Sequence, residues 1–240
     1  MLVVQHSEIC PPGLYGDWLH AAGAEVEVVH PYRGQTPPED FDALVVLGGE
    51  MSSRDRVTAP WLTPLEETVR RCVADGTPLL GICLGHQVAA LALGGEVEPN
   101  PRGQMVGLAR VGLTEQGRRD PLLGDLPEDA VAVQWNDDVV VSLPPGARVL
   151  AHDPRGDVQA LRLGERAWSV QFHPEADEHV IAPWAASDAA RHAAAGIDTA
   201  AHVAAVAAAR GTLEAAWRPV VDRFVALAVA ARTAREVATA

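Results

Sequence analysis

Cysteine is scarce in this 240-residue chain, which holds only three. Cys10, Cys72 and Cys83 have neither the number nor the spacing of a disulfide scaffold or a metal knuckle. No metal and no other cofactor is expected. Positive charge is also short. Lys and Arg together number 19 against 32 acidic residues, for a formal charge of −13, and no basic stripe offsets it. That balance speaks against nucleic acid or an anionic membrane as a partner. No uninterrupted apolar run is long enough to span a bilayer, because His, Arg, Asp and Glu break up the alanine-rich stretches near the C-terminus. Residues 1–12 lack a basic segment followed by a long apolar run. No secretory leader is therefore expected, and the expected compartment is a reducing cytoplasm.

What is present suits a sizeable core. Hydrophobic residues make up 48%, and the 21 glycines and 18 prolines are spread along the chain as punctuation. The first hundred residues alternate apolar runs with helical spacing. Strands are predicted at 1–6, 25–29, 43–47 and 78–82, and helices at 14–22, 60–73 and 84–93. The strand runs are continuous rather than alternating, as in parallel strands covered on both faces. The expected fold is therefore α/β, an open, doubly wound, mainly parallel sheet. Further strands are predicted at 106–113, 130–134, 147–152, 157–163 and 167–171. After 178 the pattern turns helical, with segments at 181–194, 199–210 and 213–238. Pro219 is expected to kink or split the last of these. The expected organisation is one α/β domain over 1–180 and an alanine-rich helical extension over 181–240 packed on it.

The sharpest local feature is LLGICLGHQVAAL at 79–91. An apolar strand enters Gly81-Ile82-Cys83-Leu84-Gly85, and a helix-compatible segment begins at once. Small residues around Cys83 permit a tight strand–turn–helix that exposes the thiol above the sheet. The helix N-terminus favours a thiolate there. The amide of Leu84 is placed to meet an oxyanion, with Gly49, at the end of the third strand, as a second donor. Cys72 lies in a helix pattern and Cys10 in a proline-bounded loop, so both read as structural.

A second feature is VQFHPEA at 170–176. A strand delivers His173, Pro174 fixes the chain direction, and Glu175 follows two positions after the histidine. Glu175 is placed to hold one imidazole nitrogen so that the other faces Cys83. In a parallel layout the strand ends meet at one edge of the sheet, which brings these distant segments together. His86, three residues after Cys83, is the weaker choice for the base.

With these motifs in hand, the chain resembles the class I glutamine amidotransferases. The likeness rests on Gly48 and Gly49, GICLGHQ at 81–87 and QFHPE at 171–175, and covers roughly residues 1–180. It is strongest to stand-alone proteins similar to the amidotransferase domain of GMP synthase. The resemblance implies a Cys83–His173–Glu175 triad and a γ-glutamyl thioester on Cys83. It also implies Gly49 and Leu84 as oxyanion donors, and Gln87 as a residue that helps bind glutamine. Two positions depart from the family pattern. Met105-Val106-Gly107 stands where relatives often have Glu two before Gly, and Trp135-Asn136-Asp137-Asp138 stands where many have Trp-His followed by Asp. Two other readings stay open: a hydrolase of γ-glutamyl amides or peptides with no synthase partner, and a catalytically silent binding or regulatory subunit. The chain shows no Gly-rich phosphate loop or second active site, so any transfer of nitrogen is expected to need a separate synthase or acceptor protein.

Overall fold

A computed structural model describes residues 1–239. The first half alternates strand and helix: β1 (Leu2–Val4), α1 (Gly13–Ala21), β2 (Glu27–Val29), β3 (Leu44–Val46), α2 (Leu62–Asp75), β4 (Leu79–Ile82) and α3 (Leu84–Ala92). The middle is strand-rich: β5 (Glu96–Pro99), β6 (Met105–Arg110), β7 (Gly112–Leu113), β8 (Val131–Asn136), β9 (Asp138–Ser142), β10 (Arg148–His152), β11 (Val158–Arg162) and β12 (Ala167–Val170). Two helices follow, α4 (Glu178–Ala195) and α5 (Thr199–Thr239).

Eight strands form the central sheet in the order β2-β1-β3-β4-β12-β11-β10-β7. The half from β2 to β12 is parallel. The far edge, from β12 to β7, is antiparallel. Two small antiparallel pairs, β5–β9 and β6–β8, stand apart from it. The fold is thus the open, doubly wound sheet expected from the continuous apolar runs. The pleat explains those runs. Val3, Val45 and Leu80 face the layer of α1 and α5, while Leu2, Val4, Leu44, Val46 and Leu79 face the layer of α2 and α3. With both faces covered, every position of these strands is apolar.

Three differences from the sequence-based expectation have physical causes. The strand expected over 106–113 breaks at Val111 into β6 and β7, which join different sheets. β5 and β9 were not anticipated. Their residues, Glu96–Pro99 and Asp138–Ser142, carry acids and a proline and form only a two-stranded pair. The two helices expected at 199–210 and 213–238 are one helix, and Pro219 does not end it. An interior proline costs about 3 kcal/mol and an interior glycine about 1 kcal/mol. Burial of Leu213, Trp217, Val220, Val221 and Phe224 on α5 opposes that cost, since each such side chain contributes about 1.5–3 kcal/mol. These residues share one core with α1 and the sheet.

Candidate active site

β4 ends at Ile82, and Cys83 turns the chain straight into α3 with φ 50° and ψ −102°. Among the described residues it is the only non-glycine with positive φ. Such strain in a non-glycine residue costs about 1–3 kcal/mol and must be imposed by its surroundings. The neighbouring glycines show how. A Cβ on Gly81 would lie 2.6 Å from the Gly85 carbonyl oxygen, and one on Gly85 would collide with the Val46 carbonyl oxygen. The turn closes only because both positions lack side chains. The Cys83 amide donates to Val170 O at 2.8 Å, which ties the elbow to β12.

β12 leads into Gln171 and His173. The His173 amide donates to Val133 O at 2.7 Å. Its Nδ1 meets Glu175 Oε1 at 2.7 Å, and both side chains are 3% exposed. An ionised Glu175 only accepts, so Nδ1 carries the proton and Nε2 is left for Cys83. The Glu175 carbonyl accepts from the Leu14 amide at 2.9 Å, and Gly13 clears the space beside it. Burial opposes charge on His173. The Cys83 and Glu175 side chains, as negative charges and as hydrogen-bond partners, outweigh it and raise the pKa to about 10.

The other expected residues fall as follows. Gly49 lines the same cavity as Cys83 and His173. A Cβ there would meet Leu84 Cδ2 at 2.8 Å and His6 Cβ at 2.9 Å. Leu84 is the first residue of α3, so its amide has no acceptor within the helix. Gln87 also lines the cavity. Its Nε2 donates to Asp138 O at 3.2 Å and to Gln171 Oε1 at 3.3 Å. Gln171 in turn points Nε2 at Cys83 Sγ, 3.7 Å away. His86 is turned elsewhere: its Nδ1 pairs with Ser169 Oγ at 2.8 Å, and burial lowers its pKa to about 3.

The cavity holds about 480 Å³. Several of its lining residues carried no signal in the sequence. Cys10 is one, with a thiol whose pKa burial pushes up. Trp184, Asp188 and Arg191 of α4 form another wall. Asp188 accepts from Trp135 Nε1 at 2.8 Å and from Gln104 Nε2 at 3.1 Å, and pairs with Arg191 at 3.0 Å. The two positions that depart from the family pattern are direct cross-strand partners, Met105 on β6 opposite Asn136 on β8. Among the described residues no cluster of His, Cys, Asp and Glu is arranged to hold a metal ion.

The model of the glutamine amidotransferase class-I family matches residues 17–182. The chain belongs to the class I glutamine amidotransferase family. One subunit of the glutamine-hydrolyzing GMP synthase of Saccharolobus solfataricus is 33% identical over 156 residues, 64% of this chain and 77% of that protein. A glutamine amidotransferase of Thermotoga maritima superposes with a TM-score of 0.83 at 22% identity, over 93% of this chain and 96% of that one. A glutamine amidotransferase of Methylobacillus flagellatus does so with a TM-score of 0.80 at 25% identity, over 96% and 94%. As a member of the family the chain is an enzyme of the glutamine amidotransferase type. No helix among the described residues is long and apolar enough to cross a membrane.

Proposed function

We propose that this enzyme removes the side-chain amide of glutamine through a covalent intermediate on Cys83. The observation that carries the reading is the elbow itself. A strained cysteine held at a helix N-terminus shares one cavity with a buried His173–Glu175 pair.

In the first half-reaction Cys83 passes its thiol proton to His173 Nε2, and its Sγ bonds to the amide carbon. The backbone amides of Leu84 and Gly49 meet the developing oxyanion. His173 gives its Nε2 proton to the leaving nitrogen, the C–N bond breaks, ammonia departs and a γ-glutamyl thioester remains. In the second, His173 takes a proton from water as its oxygen attacks the thioester. The C–S bond breaks, glutamate leaves, and His173 returns the proton to the Cys83 sulfur. Glu175 keeps the imidazole in one tautomer and offsets its positive charge. Gln87 orients the substrate beside the sulfur, steadied by its bond to Gln171.

A second reading has its own support. A cavity of about 480 Å³ exceeds the needs of a ten-heavy-atom amino acid, and Asn136, one of the two departures from the family pattern, lies in its wall. Larger γ-glutamyl amides or peptides fit that description. In the first reading the nitrogen reaches an acceptor only through a separate protein; the second needs none. The likeness to a protein named as one subunit of a GMP synthase gives that proposal its precedent.

The test is amine release by the purified chain from glutamine and from a γ-glutamyl panel, run beside Cys83→Ser. Wild-type turnover in Cys83→Ser sinks the mechanism. Fast release from γ-glutamyl conjugates with negligible glutamine turnover selects the second reading. Transfer of labelled glutamine nitrogen to an acceptor by this chain alone refutes the need for a partner.

A further inference from the structure

Glu175 holds Nδ1 of His173, but a single hydrogen bond fixes one atom and leaves the plane of the ring free. Two other features bound that plane. A Cβ on Gly48 would lie 2.8 Å from His173 Cε1, so the edge of the ring runs against the end of β3. The ring also packs against Trp184 of α4 in a tilted contact, with ring centroids 4.6 Å apart and planes inclined at 53°.

Trp184 is itself held. Its Nε1 donates to Ile9 O at 2.6 Å, and it is 5% exposed. Trp135 lies beside it at 6.1 Å and is anchored by its own N–H to Asp188, one turn along the same helix. The start of α4 is fixed too. Asp177 caps it by accepting from the His179 and Val180 amides, and Arg210 of α5 pairs with Asp177 and Glu178. Residue 184 lies beyond the segment matched to the family model.

We propose that Trp184 is a positioning residue, whose indole fixes the plane of the His173 imidazole so that Nε2 is aimed at Cys83. The proposal rests on the reading of Cys83 and His173 as nucleophile and base. It makes α4 part of the catalytic machinery rather than a cover over it. A simple space-filler would need only apolar volume at this position. A positioning face has to be flat, rigid and aromatic, and an electron-rich face also favours the protonated imidazole.

The titratable groups around His173 are Cys83 from the elbow, Glu175 from its own loop, and Cys10 and Glu50 across the cavity. Tyr15 of α1 lies near Glu175, and Asp188 on α4 is paired with Arg191. Replacing Trp184 alters none of these groups directly.

The experiment compares Trp184→Leu, which keeps apolar cover without the aromatic face, with Trp184→Phe, which keeps a face but loses the bond to Ile9. Trp184→Met replaces the leucine variant if that one fails to fold by circular dichroism. Two readouts are taken. The first is kcat and KM for glutamine against pH. The second is the pH dependence of Cys83 alkylation by iodoacetamide, followed by peptide mass analysis so that Cys10 and Cys72 are scored separately. For Trp184→Leu we expect kcat to fall at least about tenfold with KM within about threefold. Its alkaline transition in Cys83 reactivity should move down by about half a pH unit or more. Trp184→Phe should keep the wild-type transition. An unchanged kcat and transition in Trp184→Leu overturn the proposal. So does an equal loss in both variants. If the wild-type protein turns over no γ-glutamyl compound, the proposed function fails, while the alkylation profile still decides the role of Trp184.

Discussion

Substituting Gly81 with alanine puts the elbow to a direct steric test. The added Cβ would sit 2.6 Å from the Gly85 carbonyl oxygen, 2.7 Å from the Gly85 carbonyl carbon and 3.1 Å from the His86 amide nitrogen. Carbon and oxygen settle at about 3.3 Å or more, so the first contact is short by about 0.7 Å. All three are backbone atoms of α3, and no rotamer change relieves the clash. The first turn of α3 must move away from β4, and Cys83 lies between them. Overpacking of this kind costs about 1–3 kcal/mol. For a chain of this size that lowers Tm by roughly 2–12 °C. A displacement approaching 1 Å at the nucleophile costs about 100-fold in rate. Gly81→Ala is therefore expected to lose more activity than stability. Thermal and urea unfolding measure the second quantity, and amine release from glutamine the first. Gly211→Ala is the control. It lies within α5 with nothing within 4 Å of the added Cβ, and is expected to stabilise by about 1 kcal/mol with unchanged turnover. A Gly81→Ala protein with wild-type Tm and turnover refutes the argument that missing side chains shape this turn.

Glu175→Gln should lower kcat by about 100–10,000-fold with little change in the fold, because the amide supports the wrong imidazole tautomer and carries no charge; a kcat within threefold of wild type contradicts the assignment. Stability should peak near pH 6.5. Burial lowers the pKa of His6 to about 4 and that of His86 to about 3. From pH 6.5 downward the unfolded chain binds protons that the folded chain refuses, and each histidine removes about 1.4 kcal/mol per pH unit until its folded pKa is reached. His173 works on the other side. Its raised pKa gives a contribution that is complete below pH 6.5 and lost as pH rises to about 10. Urea titrations across pH should show both limbs, with His86→Gln flattening only the acid one; an acid limb equally steep in that variant counts against the burial argument.

The convergence of Cys83, His173 and Glu175 was legible because each belongs to a short segment that carries its own geometry. Gly81 and Gly85 announce a turn around Cys83, and Pro174 sets Glu175 two residues beyond His173. The parallel strands were legible because Leu2–Val4 and Leu44–Val46 are buried on both faces and so stay apolar at every position. Trp184, Asp188 and Gln104 were not. Their places in the site come from the approach of α4 to β8 and to the segment before β6, and nothing in an alanine-rich helix marks which face will meet His173. Gln171 stands in the QFHPE motif, yet its contact with Cys83 and Gln87 depends on strand register rather than on sequence spacing. The break expected after Arg210 and the split offered at Pro219 are absent, because packing that a single segment does not display outweighs intrinsic propensity.

The apolar face of α1 is sealed by α5, roughly two hundred residues further along the chain. The bond from Trp184 to Ile9 spans 175 residues, and Arg235 on α5 reaches back to Thr77. A ribosome adds about 5–20 residues each second, so Leu14 and Trp18 wait roughly 10–40 s for Trp217 and Phe224 to emerge. During that interval the nascent sheet has one greasy side uncovered. Holdase chaperones thus have a defined window in which to act, which closes when the last long helix docks on α1.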